Sequence, residues 1–155
     1  MDSDAREQRP GGPNVPGGRD RVNRVQCTGI GDEYLGLVWQ KAEPLLVPAL
    51  GEGEKIEDVL TRLFLKTAQL WIGADADKIQ VACVTEIFSR GGTKYCNVWL
   101  TGGTGVNNWV YYLDTIEEWA KAQGCDAMLI EKARVGWKRI LPAYKTKTIQ
   151  LVKEI

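Results

Sequence analysis

The sequence predicts an α+β fold in which a mixed, mostly antiparallel sheet carries helices on both faces, preceded by an extended N-terminal arm. Three observations support this prediction. Apolar residues alternate at strand spacing over residues 78–89, and they recur at helical spacing over residues 109–123. Residues 93–130 read as a strand, a glycine-rich turn, a helix and a second strand. The third pattern is a βαβ unit, in which a crossover helix joins two parallel strands.

The composition restricts the kinds of partner that the chain can bind. Its 155 residues suffice for one domain with its own core. Lysine plus arginine number 20 and aspartate plus glutamate number 20, so the formal net charge is zero. Because duplex nucleic acid and anionic membranes attract an excess of positive charge, we expect no direct binding to either. There is no histidine and no closely spaced cysteine pair, so no metal site is expected.

The first residues differ in composition from the rest of the chain. Residues 9–19 contain three prolines and four glycines, and large apolar side chains are almost absent before residue 25. Such a segment buries too little apolar surface to offset the entropy lost on ordering. We therefore predict a flexible arm over residues 1–24 and a folded domain over residues 25–155.

The first half of the domain is predicted to hold one strand and two helices. A short strand is expected over residues 24–28, followed by a helix with Asp32 as its N-cap. This first helix contains Pro44 and is expected to end at Pro48. A second helix is predicted from about Lys55, and its buried stripe comprises Ile56, Val59, Leu60, Leu63, Phe64 and Thr67.

Three consecutive strands are predicted next. A short strand over residues 70–72 is followed by a turn at residues 73–77 and a long strand over residues 78–89. Two glycines at residues 91 and 92 indicate a hairpin turn, and the following strand is predicted over residues 94–100.

The βαβ unit and the C-terminal elements complete the predicted order. A turn over residues 101–106 leads into the crossover helix, which Gly124 caps, and a parallel strand over residues 127–130 follows. A helix over residues 135–141 and a strand over residues 146–154 come last. The full predicted order is β-α-α-β-β-β-α-β-α-β.

This element order, from about residue 22 to residue 155, resembles that of the GNAT (N-acetyltransferase) superfamily. The segment Gly-Trp-Lys-Arg-Ile-Leu-Pro-Ala-Tyr at residues 136–144, followed by a strand, is similar to the family's fourth helix and terminal strands. The ending also resembles small GNAT-like proteins of tailed phages. The resemblance implies the GNAT fold, and it implies acetyl-CoA as the cofactor if the chain is an enzyme.

The resemblance also implies a position for the cofactor. GNAT enzymes bind the pyrophosphate of acetyl-CoA on the turn after the fourth strand, through N–H groups at the start of the next helix. The corresponding residues here lack the Gln or Arg that leads the family's glycine pattern, and no lysine or arginine lies between Lys94 and Lys121. Alternatively, the glycines only form a flexible strand-to-helix turn. The candidate cofactor-binding residues are Gly102, Gly103, Thr104, Gly105 and Val106.

A GNAT enzyme also uses a base, often a glutamate, and frequently a tyrosine acid on its fourth helix. Glu86 is the candidate base, because its apolar neighbours in the strand disfavour the charged form. The alternative is that Glu86 pairs with an arginine or lysine. The predicted helix over residues 135–141 contains no tyrosine, and Tyr144 aligns with a core aromatic residue of the family.

The arm, the incomplete glycine pattern and the missing acid together favour a protein without catalysis. We predict a non-catalytic GNAT-like structural or binding protein, a component of a tailed-phage virion, with no cofactor. Its arm over residues 1–24 would contact neighbouring subunits of the assembly. The protein would be found in the virion, or in the host cytoplasm before assembly. The alternative is an acetyl-CoA-dependent N-acetyltransferase with Glu86 as its base.

Overall fold

The computed structural model describes residues 26–75, 78–104 and 109–130, together with residues 141, 143, 144 and 153. The predicted arm over residues 1–24 lies outside this part of the chain, and so do the last predicted helix and strand apart from isolated residues. The strands are β1 (Gln26–Gly29), β2 (Gln69–Asp75), β3 (Lys78–Arg90), β4 (Thr93–Gly103) and β5 (Ala127–Ile130). The helices are α1 (Asp32–Leu46), α2 (Ile56–Phe64) and α3 (Trp109–Ala122).

The described strands form one sheet in the order β1-β2-β3-β4-β5. The first three pairings are antiparallel, whereas β4 and β5 are parallel and α3 connects them. Tyr95 to Val98 of β4 pair with Ala127 to Ile130 of β5. The prediction of a mixed, mostly antiparallel sheet with a βαβ unit is therefore confirmed.

Each face of the sheet packs against its own helices, as predicted. Ala82 and Val84 of β3 pack in a core with α1 and α2, whereas Val81 and Cys83 pack in a core with α3. This separation follows from the alternation of side chains along a strand. The largest fully buried apolar side chains of the two cores are Leu46, Val59, Leu70 and Leu100 on the α1 and α2 face, and Tyr112, Leu113 and Ile116 on the α3 face.

The hairpin between β3 and β4 has the predicted turn. Arg90 pairs with Thr93, and the two glycines between them have φ angles of 60° and 82°. Positive φ at both central residues is the geometry of a two-residue turn that suits the twist of antiparallel strands. The hairpin fixes the register of β3 against β4, and the position of Glu86 depends on that register.

The two N-terminal helices differ from the prediction at their ends. The N-cap of α1 is Gly31, and Asp32 is instead the first helical residue. With Glu33 it places negative charge in the first turn, where the helix dipole favours it. Pro44 lies inside α1, and the chain continues past the helix into a 3-10 turn (Val47–Ala49) that accommodates Pro48 near its start.

The predicted buried stripe of α2 holds only in part. Val59 and Leu63 are buried, but Phe64 is 60% exposed and Thr67 lies beyond the end of the helix. Thr67 is excluded by the helix end, where Lys66 has a φ of 64° and the Thr67 N–H donates to the Arg62 carbonyl at 3.0 Å. Phe64 directly follows the buried Leu63, so it lies about 100° further round the helix, outside the buried stripe.

The strand β2 extends beyond its predicted end. Gly73 to Asp75 continue the strand and pair with β3, with a register shift between Gly73 and Ala74. The glycine that indicated a turn has a packing role instead, because a Cβ at residue 73 would meet the side chain of Val81.

Candidate active site

The strand β4 also continues past its predicted end, into the candidate phosphate-binding turn. Gly102 pairs with Ala82 and Gly103 with Val81, so both glycines belong to the sheet. Two of the five candidate cofactor-binding residues are therefore strand residues. Gly105 and Val106 lie outside the described residues.

The structure gives both strand glycines a reason that does not involve a ligand. Gly102 is buried, and a Cβ there would meet the backbone carbonyl oxygen of Leu45 at the end of α1. Gly103 has a φ of 121°, and a Cβ there would meet the backbone carbonyl of Gln80. An L side chain is therefore disfavoured at both positions by the packing of the protein itself.

The backbone N–H of Thr104 is also committed within the fold, because it donates to the Gln80 carbonyl at 2.9 Å. An anion on this turn would consequently be held by the segment after Thr104 and by the start of α3. The first turn of α3 contains no acidic side chain, so nothing on the helix opposes an anion there. Residues 105–108 lie outside the described residues, so in the described part of the chain the first turn of α3 is where an anion would meet helix N–H groups.

Glu86 lies on β3 opposite Asn97, on the sheet face that α1 and α2 cover. The Arg62 guanidinium on α2 donates to its carboxylate, with 3.1 Å between Nη1 and Oε2. The Glu86 side chain is 23% exposed and that of Arg62 is 50% exposed. An ion pair this exposed stabilises the fold little, but it orients the carboxylate. The structure thus has the pairing that the sequence left as an alternative.

The Arg62 guanidinium is itself held in place by an aromatic ring. Its central carbon lies 4.8 Å from the centre of the Trp99 ring. The Trp99 indole N–H donates to Oε2 of Glu54 at 2.9 Å, and the Gly51 N–H donates to Oε1 of the same residue at 2.6 Å. We call Glu54, Arg62, Glu86 and Trp99 the Glu86 cluster.

A bulge in β4 places Trp99 in this cluster. Val84 pairs with Leu100 and Thr85 pairs with Val98, so Trp99 is the extra residue of the pair. Sequence analysis considered only Glu86 of the cluster. Its members come from a loop, a helix and two strands, and no local pattern links them.

Glu86 and the glycine turn lie apart along the sheet. Glu86 is four residues from Ala82, which pairs with Gly102, so the two parts of the candidate site are separated by about 13 Å.

Tyr144 makes a structural contact rather than facing the Glu86 cluster. Its hydroxyl donates to Oε2 of Glu117 on α3 at 2.7 Å. Burial and then the hydrogen bond to Glu117 raise the pKa of Tyr144. A raised pKa disfavours release of the hydroxyl proton, so the contact suits a packing role.

The cysteines do not supply a nucleophile. Burial raises the pKa of the Cys27 and Cys96 thiols to about 12, and it raises the pKa of Cys83 and Cys125 as well. A thiol attacks as its thiolate, which these environments disfavour.

Among the described residues, no three His, Cys, Asp or Glu side chains converge as metal ligands would. None of the described helices is both long enough and apolar enough to cross a membrane.

Comparisons with known proteins place this geometry in context. No model of a known protein family matches the chain, and no curated protein matches it. Solved structures do match. A GNAT family acetyltransferase from Staphylococcus aureus aligns over 85% of this chain and 99% of its own, with 15% identity and a TM-score of 0.57. A predicted acetyltransferase from Clostridium acetobutylicum, solved with acetyl-CoA, aligns over 84% and 96%, with 12% identity and a TM-score of 0.61.

A third similar structure is glucosamine-6-phosphate N-acetyltransferase from Arabidopsis thaliana. It aligns over 84% of this chain and 97% of its own, with 15% identity and a TM-score of 0.56. At such identities the likeness concerns the fold. The chain has the GNAT fold, as the element order predicted.

These matches correct the predicted function. We expected a non-catalytic structural protein of a phage virion, but the matched structures are described as acetyltransferases. None of the three is described as a phage, virion or structural protein. The incomplete glycine pattern and the missing tyrosine had outweighed the fold in that prediction. The comparison favours the alternative, an acetyltransferase.

Proposed function

We propose that the chain is an acetyl-CoA-dependent N-acetyltransferase that acts in the cytoplasm. The observation that carries the proposal is the match over more than four fifths of the chain to acetyltransferases, one of them solved with acetyl-CoA. The position of a carboxylate on β3, about 13 Å along the sheet from Gly102 in the strand that leads toward α3, supports it.

Glu86 acts as the base of the reaction. Its carboxylate pairs with Arg62, and its partial exposure lets an amine approach. Glu86 accepts the proton that the amine nitrogen loses as its bond to the acetyl carbon forms and the carbon–sulfur bond of the thioester breaks. The CoA sulfur leaves as a thiolate, which takes up a proton from solvent. Arg62 orients the carboxylate, and Trp99 holds Arg62 in turn.

Acetyl-CoA, when bound, supplies a thioester whose acetyl carbon is open to attack by the amine. The backbone N–H groups in the first turn of α3 hold the diphosphate, together with Gly105 and Val106. Gly102 and Gly103 shape the strand that leads to this turn, and Thr104 fixes its start. The diphosphate and the thioester lie at opposite ends of the pantetheine arm, so a separation between the two parts of the site is required.

The binding step is tested by isothermal titration of acetyl-CoA into the wild type and the variant Asn108→Asp. Residue 108 directly precedes α3, and Asn and Asp suit a helix start equally well, so the fold should be unaffected. The added negative charge should oppose the diphosphate by ~1–2 kcal/mol, a roughly 5- to 30-fold rise in Kd.

The matched control is Gln123→Glu, which adds the same charge just beyond the opposite end of α3. Its Kd should stay within about twofold of the wild-type value, since the charge is distant from the proposed site. Equal Kd values for Asn108→Asp and the wild type would contradict binding at the start of α3. No binding to the wild type would contradict the proposed function.

The arm over residues 1–24 is proposed, as before, to contact other protein subunits. It lies outside the described residues, and the proposal depends on its composition alone. Sedimentation of the full chain and of a chain lacking residues 1–24 tests it, since identical oligomeric states and identical binding partners in pull-downs would count against it.

A further inference from the structure

A strip of side chains extends from Glu86 to the end of β3. Glu86, Phe88 and Arg90 occupy alternate positions of the strand, so they lie on one face at intervals of about 7 Å. Phe88 pairs with Tyr95 of β4, and their rings lie 5.6 Å apart. The Arg90 guanidinium lies over the Phe88 ring at 4.9 Å.

The two arginines beside Glu86 differ in their partners. Arg62 is paired with the Glu86 carboxylate. Arg90 is exposed and makes its contact with the Phe88 ring, and no carboxylate of the described residues lies within ion-pair distance of it. The guanidinium of Arg90 therefore has its N–H donors available to a ligand.

We propose that the acceptor amine carries a second, negatively charged group, a carboxylate or a phosphate, which Arg90 binds while the amine faces Glu86. The inference rests on the proposed N-acetyltransferase function, because it assigns the substrate class of the same site. Arg90 lies two intervals of about 7 Å from Glu86 along β3, but its guanidinium lies over Phe88, one interval away, so the two ends of this substrate are roughly 7–10 Å apart. The apolar or cyclic body that joins them spans the stretch between Glu86 and the Phe88 ring, which the Arg90 guanidinium covers.

The chemistry of the strip supports such a substrate. A guanidinium forms charge-assisted, often bidentate hydrogen bonds with carboxylates and phosphates, and an ammonium does so less specifically. Stacking on Phe88 holds the guanidinium of Arg90 in one orientation, which reduces the entropy lost when an anion binds. The carboxylate of Glu86 attracts the protonated amine at the other end.

The test compares two amines that differ only in the anionic group, 4-(aminomethyl)benzoate and benzylamine. Both are used as acceptors with saturating acetyl-CoA, and both are titrated by NMR into the protein alone. The variants are Arg90→Gln, which removes the charge, and Arg90→Lys, which keeps the charge but not the planar fork. Lys78→Gln is the matched control, since it removes an exposed positive charge at the other end of the same strand.

We expect the wild type to prefer the carboxylate-bearing amine by roughly tenfold in kcat/KM and in Kd. Arg90→Gln should abolish the preference, Arg90→Lys should keep part of it, and Lys78→Gln should leave it unchanged. Equal values for the two amines in the wild type would overturn the inference, as would a preference that survives in Arg90→Gln. Either result leaves acetyl transfer, and so the proposed function, intact.

The NMR titration separates the two hypotheses if no acetyl transfer occurs. Binding of 4-(aminomethyl)benzoate that depends on Arg90 would then support the anion site while contradicting the enzyme. No Arg90-dependent binding of either amine would overturn the inference whatever the result with acetyl-CoA.

Discussion

Replacing Gly102 with alanine tests whether the glycines at the end of β4 serve the fold. The added methyl group would meet the carbonyl oxygen of Leu45, which is part of the α1 backbone and has no rotamer into which it could move. The clash can be relieved only if α1 shifts away from the sheet. Such a shift would loosen the packing of Leu46 and Ala42, which are 0% exposed.

Overpacking of a core costs about 1–3 kcal/mol, and a clash with backbone belongs at the upper end of that range. We therefore expect Gly102→Ala to lower the free energy of unfolding by about 3 kcal/mol, which corresponds to a fall in Tm of roughly 6–12 °C for a domain of this size. Urea unfolding followed by tryptophan fluorescence measures the change, since the chain contains six tryptophans.

The matched control is Gly36→Ala, inside α1. Gly36 is exposed, and a Cβ there would have no neighbour within 4 Å. Alanine is the better helix former, so this variant should gain about 0.5–1 kcal/mol. A Gly102→Ala variant that is as stable as the wild type would refute the packing argument, and a loss of acetyl-CoA binding without loss of stability would assign Gly102 to the ligand instead.

Two further predictions concern the charged groups of the site and of α3. Glu86→Gln should lower kcat by about 10²- to 10⁴-fold, because an amide cannot accept the proton, while the Kd of acetyl-CoA stays unchanged. The rate is measured by the release of the free CoA thiol. An unchanged kcat would exclude Glu86 as the base. Burial and the neighbouring Glu117 and Glu118 raise the pKa of Asp114, so the folded state favours its neutral form. The stability gained because the folded state holds this proton more tightly is fully present below the pKa of Asp114 in the unfolded state. It is lost as the pH rises through the raised pKa of the folded state. Asp114→Asn should therefore stabilise the protein by a few tenths of a kcal/mol near pH 7, and it should have no such effect at about pH 3. Urea unfolding at the two pH values measures the difference. A variant less stable than the wild type near pH 7 would contradict this prediction.

The sheet order and the βαβ unit could be predicted because their signals are local. Alternation along β3, the glycine pair of the hairpin and the helical spacing of α3 each fall within one short window of sequence. The predicted ends of the helices and strands were less accurate, since those ends depend on contacts with residues elsewhere in the chain. The strand β4 extends through Gly103 because β3 continues beside it, and Thr67 lies outside α2 because the chain turns at Lys66.

The candidate site could be predicted only in part, for the same physical reason. Glu86 stood out as a carboxylate within an apolar strand. Its partner Arg62 is 24 residues away, and Trp99 is held by Glu54, which is 45 residues away. Tertiary contacts of this length leave no periodic signal in the sequence. Gly102 could be recognised from the sequence, but the reason a glycine is needed there, its close contact with the backbone of α1, could not.

The contact between Leu45 and Gly102 links the two ends of the proposed site. The helices α1 and α2 share one core, and α2 carries Arg62, so the position of the Glu86 cluster depends on how closely α1 approaches the sheet. Gly102 permits that approach, and it lies in the strand that leads to the start of α3. A side chain at residue 102 would therefore displace the Glu86 cluster, where the acceptor amine is proposed to bind. It would also change the end of β4 that leads to the proposed diphosphate site at the start of α3. If the proposed reaction occurs, we therefore expect a glycine at residue 102 to support both the acceptor side and the diphosphate side without touching either substrate.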